Sequence, residues 1–255
     1  MDLGLAGKTV LITGGSRGIG AGTARVLAAE GANLILVARD EAALAQTRDQ
    51  IVAASRVSVE TVRCDLSVVE EVIRLAERFG PRVEVLVNNA GAVPGGDLFS
   101  VTDASWREGW NTKVFAYINM CRAFYPHLKA RGGGVIVNVL GAGSRQKRAD
   151  YICGGMANAA LDFFTETLGA ESPKDNIRVV GVSPGPVATE RFRAITEQRL
   201  KANPGAVHKQ PFGRIATPEE LGETIAFAAS ARSSYTSGAI ICVDGGVSVR
   251  TYAPL

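Results

Sequence analysis

The stretch Thr9-Val10-Leu11-Ile12-Thr13-Gly14-Gly15-Ser16-Arg17-Gly18-Ile19-Gly20 decides how this chain is read. Residues 9–12 form a short apolar run of the kind that makes a strand buried on both faces. The glycine-rich loop that follows leads straight into a helical pattern over residues 21–30. Strand, glycine loop and helix within one βαβ unit form a cradle for a pyrophosphate. Backbone N–H groups must approach the anion closely, and the helix N-terminus carries partial positive charge. The implied ligand is a dinucleotide.

Working outward, apolar runs recur at 34–37, 59–63, 83–87, 135–139, 178–182 and 239–243, with longer amphipathic segments between them. Runs this short, rich in Val and Ile and without clean alternation, suit a parallel sheet covered by helices. The expected fold is therefore α/β, a single-domain, Rossmann-type, doubly wound parallel sheet with helices on both faces. At 255 residues and 46% hydrophobic content the chain can form one large core, and no linker or repeat divides it. Residues 190–211 are charged and irregular and are expected to form a lid over the site.

Five motifs, in order, carry a resemblance to the short-chain dehydrogenase/reductase family. They are the TGxxxGxG spacing from Thr13 to Gly20, Cys64-Asp65-Leu66, Asn88-Asn89-Ala90-Gly91, Pro184-Gly185-Pro186-Val187-Ala188-Thr189, and Val243-Asp244-Gly245-Gly246. The resemblance implies an oxidoreductase. It implies that Gly14, Ser16, Arg17, Gly18, Ile19 and Gly20 hold the dinucleotide phosphates and that Asp65 and Leu66 meet the adenine. Asn89, Ala90 and Gly91 would border the cofactor, and Pro184, Gly185, Val187 and Thr189 would hold the nicotinamide carboxamide.

NAD-preferring members carry an acid after the second strand, where this chain has Arg39; Arg17 supplies a second cation for a 2′-phosphate. NADP is the expected cofactor. Asp40, one residue on, keeps NAD open.

The family's catalytic set is a Ser, a Tyr, a Lys four residues after the Tyr, and an Asn. Asn111 falls where that Asn belongs. Counting back from Leu161, Phe164-Thr165 and Pro184 without a gap puts Gly141 at the Ser position, Gly154 at the Tyr position and Asn158 at the Lys position. An insertion would restore Tyr151 as the Tyr but leave Gly155 where the Lys should be. The resulting hypothesis has Tyr151 leaning into the space left by Gly154 and exchanging the proton, helped by Ser144 or a water, with Asn158 binding the nicotinamide ribose. The alternative for Tyr151 is an aromatic that packs on the substrate wall. A phenol without a nearby cation donates a proton more readily than it abstracts one, which favours reduction of a small carbonyl over oxidation of an alcohol. The rival function is a dinucleotide-binding sensor or partner subunit with little turnover.

The cations of Ser144-Arg145-Gln146-Lys147-Arg148 suit either an acidic substrate or a solvated loop. With 21% charged residues and a net charge of +3, no nucleic-acid footprint is present. His127 and His208 lack the neighbours a metal site needs, so no metal is expected. Four cysteines without a CxxC pair suit reduced thiols, and no stretch reads as a leader or a membrane span, so a cytoplasmic protein is expected. The family resemblance implies a homotetramer or homodimer formed through the helices after Asn111 and Tyr151.

Overall fold

The computed structural model describes residues 1–202 and 210–249. Seven strands form one sheet: β1 (Thr9–Thr13), β2 (Asn33–Ala38), β3 (Val59–Arg63), β4 (Val85–Asn88), β5 (Gly134–Val139), β6 (Ile177–Pro184) and β7 (Ile240–Val243). Their order is β3-β2-β1-β4-β5-β6-β7, every pair parallel. The helices are α1 (Gly18–Ala29), α2 (Glu41–Ala54), α3 (Val69–Phe79), α4 (Asp103–Trp110), α5 (Ala116–Ala130), α6 (Ile152–Glu171), α7 (Glu190–Ala202) and α8 (Pro218–Ala229).

The missing alternation in the apolar runs has its reason here, because each strand feeds two cores. Val10, Ile12, Leu34, Leu36, Val85 and Val87 pack with α1 and α8. Leu11, Ile35, Val37 and Leu86 point the other way, toward α3 and α5. The order in which strands are added reverses between β1 and β4, which opens a crevice at the strands' carboxyl ends.

Two elements differ from expectation. Residues 190–202 form a helix rather than an irregular segment, started by Thr189, whose Oγ1 accepts from the Phe192 N–H at 3.1 Å. The rest of the expected lid, 203–209, lies outside the described residues. Between α4 and α5, residues Asn111–Phe115 form a π turn, wider than the α-helix on either side.

Helices α1 and α8 pack through glycine. A Cβ on Gly22 would lie 2.5 Å from Pro218 Cβ and 2.6 Å from its carbonyl carbon. Backbone cannot yield as a side-chain tip can, so Gly22→Ala is expected to lower stability by about 1–3 kcal/mol. Urea denaturation of the variant beside the wild type measures it.

Candidate active site

The crevice is built around the glycine loop. Gly14 has φ +67°, and a Cβ there would meet Asn89 Nδ2 at 2.8 Å; one on Gly20 would sit 2.1 Å from the Gly14 carbonyl oxygen. The Asn89 side chain donates to the Thr13 carbonyl at 2.9 Å and to the Gly14 carbonyl at 3.3 Å. Thr13 Oγ1 in turn accepts from the Asn89 and Ala90 N–H groups. At the N-terminus of α1, Arg17 makes no side-chain cap and the first turn holds no acid, so the helix end remains open to an anion.

Thr189 brings the loop after β6 against this cradle: its Cγ2 lies 3.1 Å from where a Gly18 Cβ would be. Gly185 packs on Asp244 and bonds to the Val243 carbonyl, while Val187 is buried. Ser16 is fixed by Thr47 Oγ1, which donates to its carbonyl at 2.9 Å, and Ile19 packs on the α1 core. The cavity of about 810 Å³ that results runs past Gly14, Arg17, Arg39, Asp65 and Ala90.

Asp65 is folded onto Ser67, whose hydroxyl and N–H both donate to Oδ1 and hold the carboxyl below its usual range. Leu66 beside it is buried. Arg17 and Asp40 form an ion pair at 2.6 Å, and the other Asp40 oxygen caps α2 through the Ala43 N–H. Asp40 is thus engaged with the protein itself, and Arg39 lines the cavity. These residues fit a dinucleotide, and they fit a 2′-phosphate better than an unsubstituted ribose.

Beyond the cradle lies the turn after β5. The Tyr151 ring occupies the space over Gly154: a Cβ there would sit 2.1 Å from Tyr151 Cζ. The same ring approaches Gly143, whose Cβ would be 2.9 Å from Cε1. Asn158, buried on α6, brings Nδ2 to 2.9 Å from a Gly141 Cβ and 3.2 Å from a Gly143 Cβ. Burial pushes the Tyr151 phenol up, against the Arg191 charge and the Asn158 amide, which pull it down. Tyr151 also pairs with Gly96 in an isolated parallel bridge that straps the 92–98 segment to the site. Ser144 is buried in the same turn, with its hydroxyl on the Gly141 carbonyl at 3.4 Å.

Tyr151, Ser144 and Asn158 therefore come together, and Asn111 does not join them. Asn111 is exposed at the π turn, where its side chain reaches, among the described residues, the Ser67 carbonyl at 3.5 Å. The residue that enters from this element is Lys113, which sequence reasoning missed. It is 9% exposed, its Nζ donates to the Leu140 carbonyl at 3.3 Å, and it lies 6.0 Å from the centre of the Tyr117 ring. Gly91 permits this, since a Cβ there would be 2.9 Å from Lys113 Cβ. The spacing 113, 117, 120, 124, which runs along the buried face of α5, was the available signal. Burial, then the Arg191 charge, lower the Lys113 ammonium to about 8.

Two of the three cations of the 144–148 run are engaged locally. Lys147 donates to the Ser144 carbonyl at 2.7 Å and Arg148 pairs with Asp150. His127 packs over Gly80, whose Cβ would be 2.3 Å from its ring.

A family profile described as Enoyl-(Acyl carrier protein) reductase matches residues 14–248. Galactitol 2-dehydrogenase (L-tagatose-forming) of Cereibacter sphaeroides is 35% identical over 248 residues, 96% of each chain. The chain belongs to the short-chain dehydrogenase/reductase family. As a member of that family it is an oxidoreductase. L-sorbose reductase from Gluconobacter frateurii, solved in complex with NADPH and L-sorbose, superposes with a TM-score of 0.91 at 32% identity, covering 98% of this chain and 100% of that one. A short-chain oxidoreductase from Pseudomonas aeruginosa PAO1, solved with NADPH and described as containing an atypical catalytic center, gives 0.86 at 28% identity, covering 96% and 98%.

Lys113 also sets a pH dependence of stability. Its folded-state value is about 8 against an ordinary 10.5, so between these two the unfolded chain holds a proton that the folded chain lacks. The stability owed to Lys113 therefore rises with pH across that window. Lys113→Met is expected to be the more stable protein at pH 7, and its advantage should shrink by on the order of 3 kcal/mol between pH 8 and 10.5. Urea midpoints of both proteins across that range check it.

Proposed function

We propose that this chain is an NADPH-dependent reductase of small carbonyl compounds that uses Tyr151 as its proton donor. The observation that carries the reading is the phenol held over Gly154 beside the Asn158 amide. Bound in the cradle, the dinucleotide would supply a hydride. Gly14, Ser16, Arg17, Gly18, Ile19 and Gly20 receive its phosphates, Arg17 and Arg39 the 2′-phosphate, and Asp65 and Leu66 the adenine. Asn89, Ala90 and Gly91 form the floor. Pro184, Gly185, Val187 and Thr189 hold the carboxamide, and Asn158 the ribose hydroxyls. Since burial raises the Tyr151 phenol, it keeps its proton at neutral pH, which suits donation to a carbonyl oxygen as carbon receives hydride.

Arg17 would exchange Asp40 for the ligand phosphate, a charge-assisted contact. The helix α7 acts as the lid, anchored by Arg191, which donates to the Val93 carbonyl at 2.8 Å. Two of the named relatives, the galactitol 2-dehydrogenase and the L-sorbose reductase, act on a polyol and a ketose, which makes sugar ketones the first substrates to screen. Exposed Phe115, Met156 and Phe163 on the α5 and α6 side support a homodimer or homotetramer. A cytoplasmic location is supported by the free thiols Cys64, Cys121, Cys153 and Cys242. No helix among the described residues is long and apolar enough to cross a membrane.

A second reading, a dinucleotide-binding sensor or partner subunit, is favoured by Gly155, which leaves no cation one helical turn after Tyr151. Titration of the nucleotide-free protein is expected to give a Kd for NADPH about tenfold or more below that for NADH; Arg39→Ala should erase most of the difference. With L-sorbose and L-tagatose as probes, Tyr151→Phe should lower kcat about 100-fold and leave the NADPH Kd unchanged. Full turnover in Tyr151→Phe removes the phenol from the mechanism. Tight NADPH binding without turnover of any carbonyl compound favours the sensor.

A further inference from the structure

Arg191 stands in the first turn of α7, and its side chain reaches across the cleft to the far wall. There Nη2 donates to the Val93 carbonyl at 2.8 Å and Nη1 to the Gly91 carbonyl at 3.4 Å. Both ends of this bridge rest on the phosphate cradle. Thr189, two residues before Arg191, has its Cγ2 3.1 Å from where a Gly18 Cβ would be. Asn89, two residues before Gly91, donates to the carbonyls of Thr13 and Gly14. The glycine loop, the end of β4, Arg191 and Thr189 thus close a ring, and the guanidinium is its charged member.

Positive charge is divided along the cleft. Among the described residues the cations that line it are Arg17, Arg39 and Arg191. Arg39 directly follows β2, and Arg17 pairs with Asp40 beside it, so these two stand at the end assigned to the 2′-phosphate. A dinucleotide also carries negative charge on the diphosphate that joins its two nucleosides. For that group the α1 N-terminus offers N–H groups and a partial charge, but no full one. Arg191 is the cation of the lining left to meet it.

We propose that Arg191 is the diphosphate clamp of this chain: when the dinucleotide binds, its guanidinium leaves the Gly91 and Val93 carbonyls and pairs with the diphosphate. The anchor of α7 then passes from the protein's own backbone to the ligand. The inference rests on the reading of the cleft as a dinucleotide site, and it is independent of the role of Tyr151. A guanidinium carries its N–H donors in a planar fork that matches phosphate oxygens. The ligand offers it an opposite charge, where the carbonyls it gives up are neutral, so the exchange runs toward the ligand.

The test is equilibrium binding to the full chain freed of nucleotide. The probes are NADPH, NADH, 2′-phosphoadenosine and 2′-phosphoadenosine 5′-diphosphate, the last two differing only in the diphosphate. Arg191→Met is expected to weaken NADPH and NADH alike, by about tenfold, and so to preserve the ratio between them. The affinity that wild type gains from the 5′-diphosphate should fall by about tenfold in this variant, with 2′-phosphoadenosine itself held within about twofold. Arg191→Lys keeps the charge but lacks the fork that spans two carbonyls, and it should bring NADPH back to within about threefold of wild type. Dissociation constants for both dinucleotides within about twofold of wild type in Arg191→Met leave the guanidinium on its carbonyls and overturn the clamp. A loss confined to NADPH assigns Arg191 to the 2′-phosphate instead. An equal loss on both adenosine probes, unrelieved in Arg191→Lys, makes it a latch that only shapes the cleft, and either result overturns the proposal. Wild-type protein that binds neither dinucleotide removes the cofactor reading beneath it.

Discussion

Everything in this molecule is arranged around the seam between β1 and β4, where Thr13 and Asn89 exchange hydrogen bonds. Thr13 Oγ1 accepts the backbone N–H groups of Asn89 and Ala90, just past the end of β4, and the Asn89 amide donates to the carbonyls of Thr13 and Gly14. The strand order reverses across this seam, and the β1–β4 pairing stops at Ile12 and Val87, so the backbone just beyond it has no strand-to-strand bond between these two strands of the sheet. The side-chain bonds take over that duty. They also fix the glycine loop so closely that neither Gly14 nor Gly20 has room for a Cβ. The open helix end at α1 and the phosphate cradle follow from this.

A second polar chain supports the seam from below. Asn88 donates to Asn138 on β5 at 3.0 Å, and Asn138 donates to Thr165 on α6 at 2.9 Å, all buried. The chain ties the cofactor side of the sheet to the helix that bears Asn158 and follows Tyr151. The phenol is placed by this helix together with loop contacts, the Tyr151 ring lying against Gly143 and its backbone strapped to Gly96 on the cavity wall.

The fold was legible because buried strands leave unmistakable apolar runs, and the glycine spacing leaves little freedom for what connects β1 to α1. The cofactor half was legible for the same reason: backbone close approach demands glycine, and glycine is visible in a sequence. Tyr151 over Gly154 could also be anticipated, since an absent side chain implies space. Lys113 could not be read so easily. A lysine between Thr112 and Val114 looks like a surface residue, and Asn111 two positions earlier looks like the functional one, until the π turn changes the phase of the helix. Helix α7 was obscured for another reason. Its charged residues show no apolar period, and its start depends on the cap at Thr189.

The π turn reconciles two demands that a regular helix could not meet together. Helix α4 takes its orientation from the cavity wall, where Gly109 packs on Pro94 and Thr112 bonds to the Ala92 carbonyl. Helix α5 takes its orientation from the core beneath the sheet, through Met120, Cys121 and Phe124. The additional residue in the turn absorbs an angular mismatch of about 100°, one residue's rotation in an α-helix. A chain shorter by that single residue could satisfy only one neighbour. It would keep the core and pull Gly109 from the wall, or keep the wall and turn the Lys113 amine out toward water.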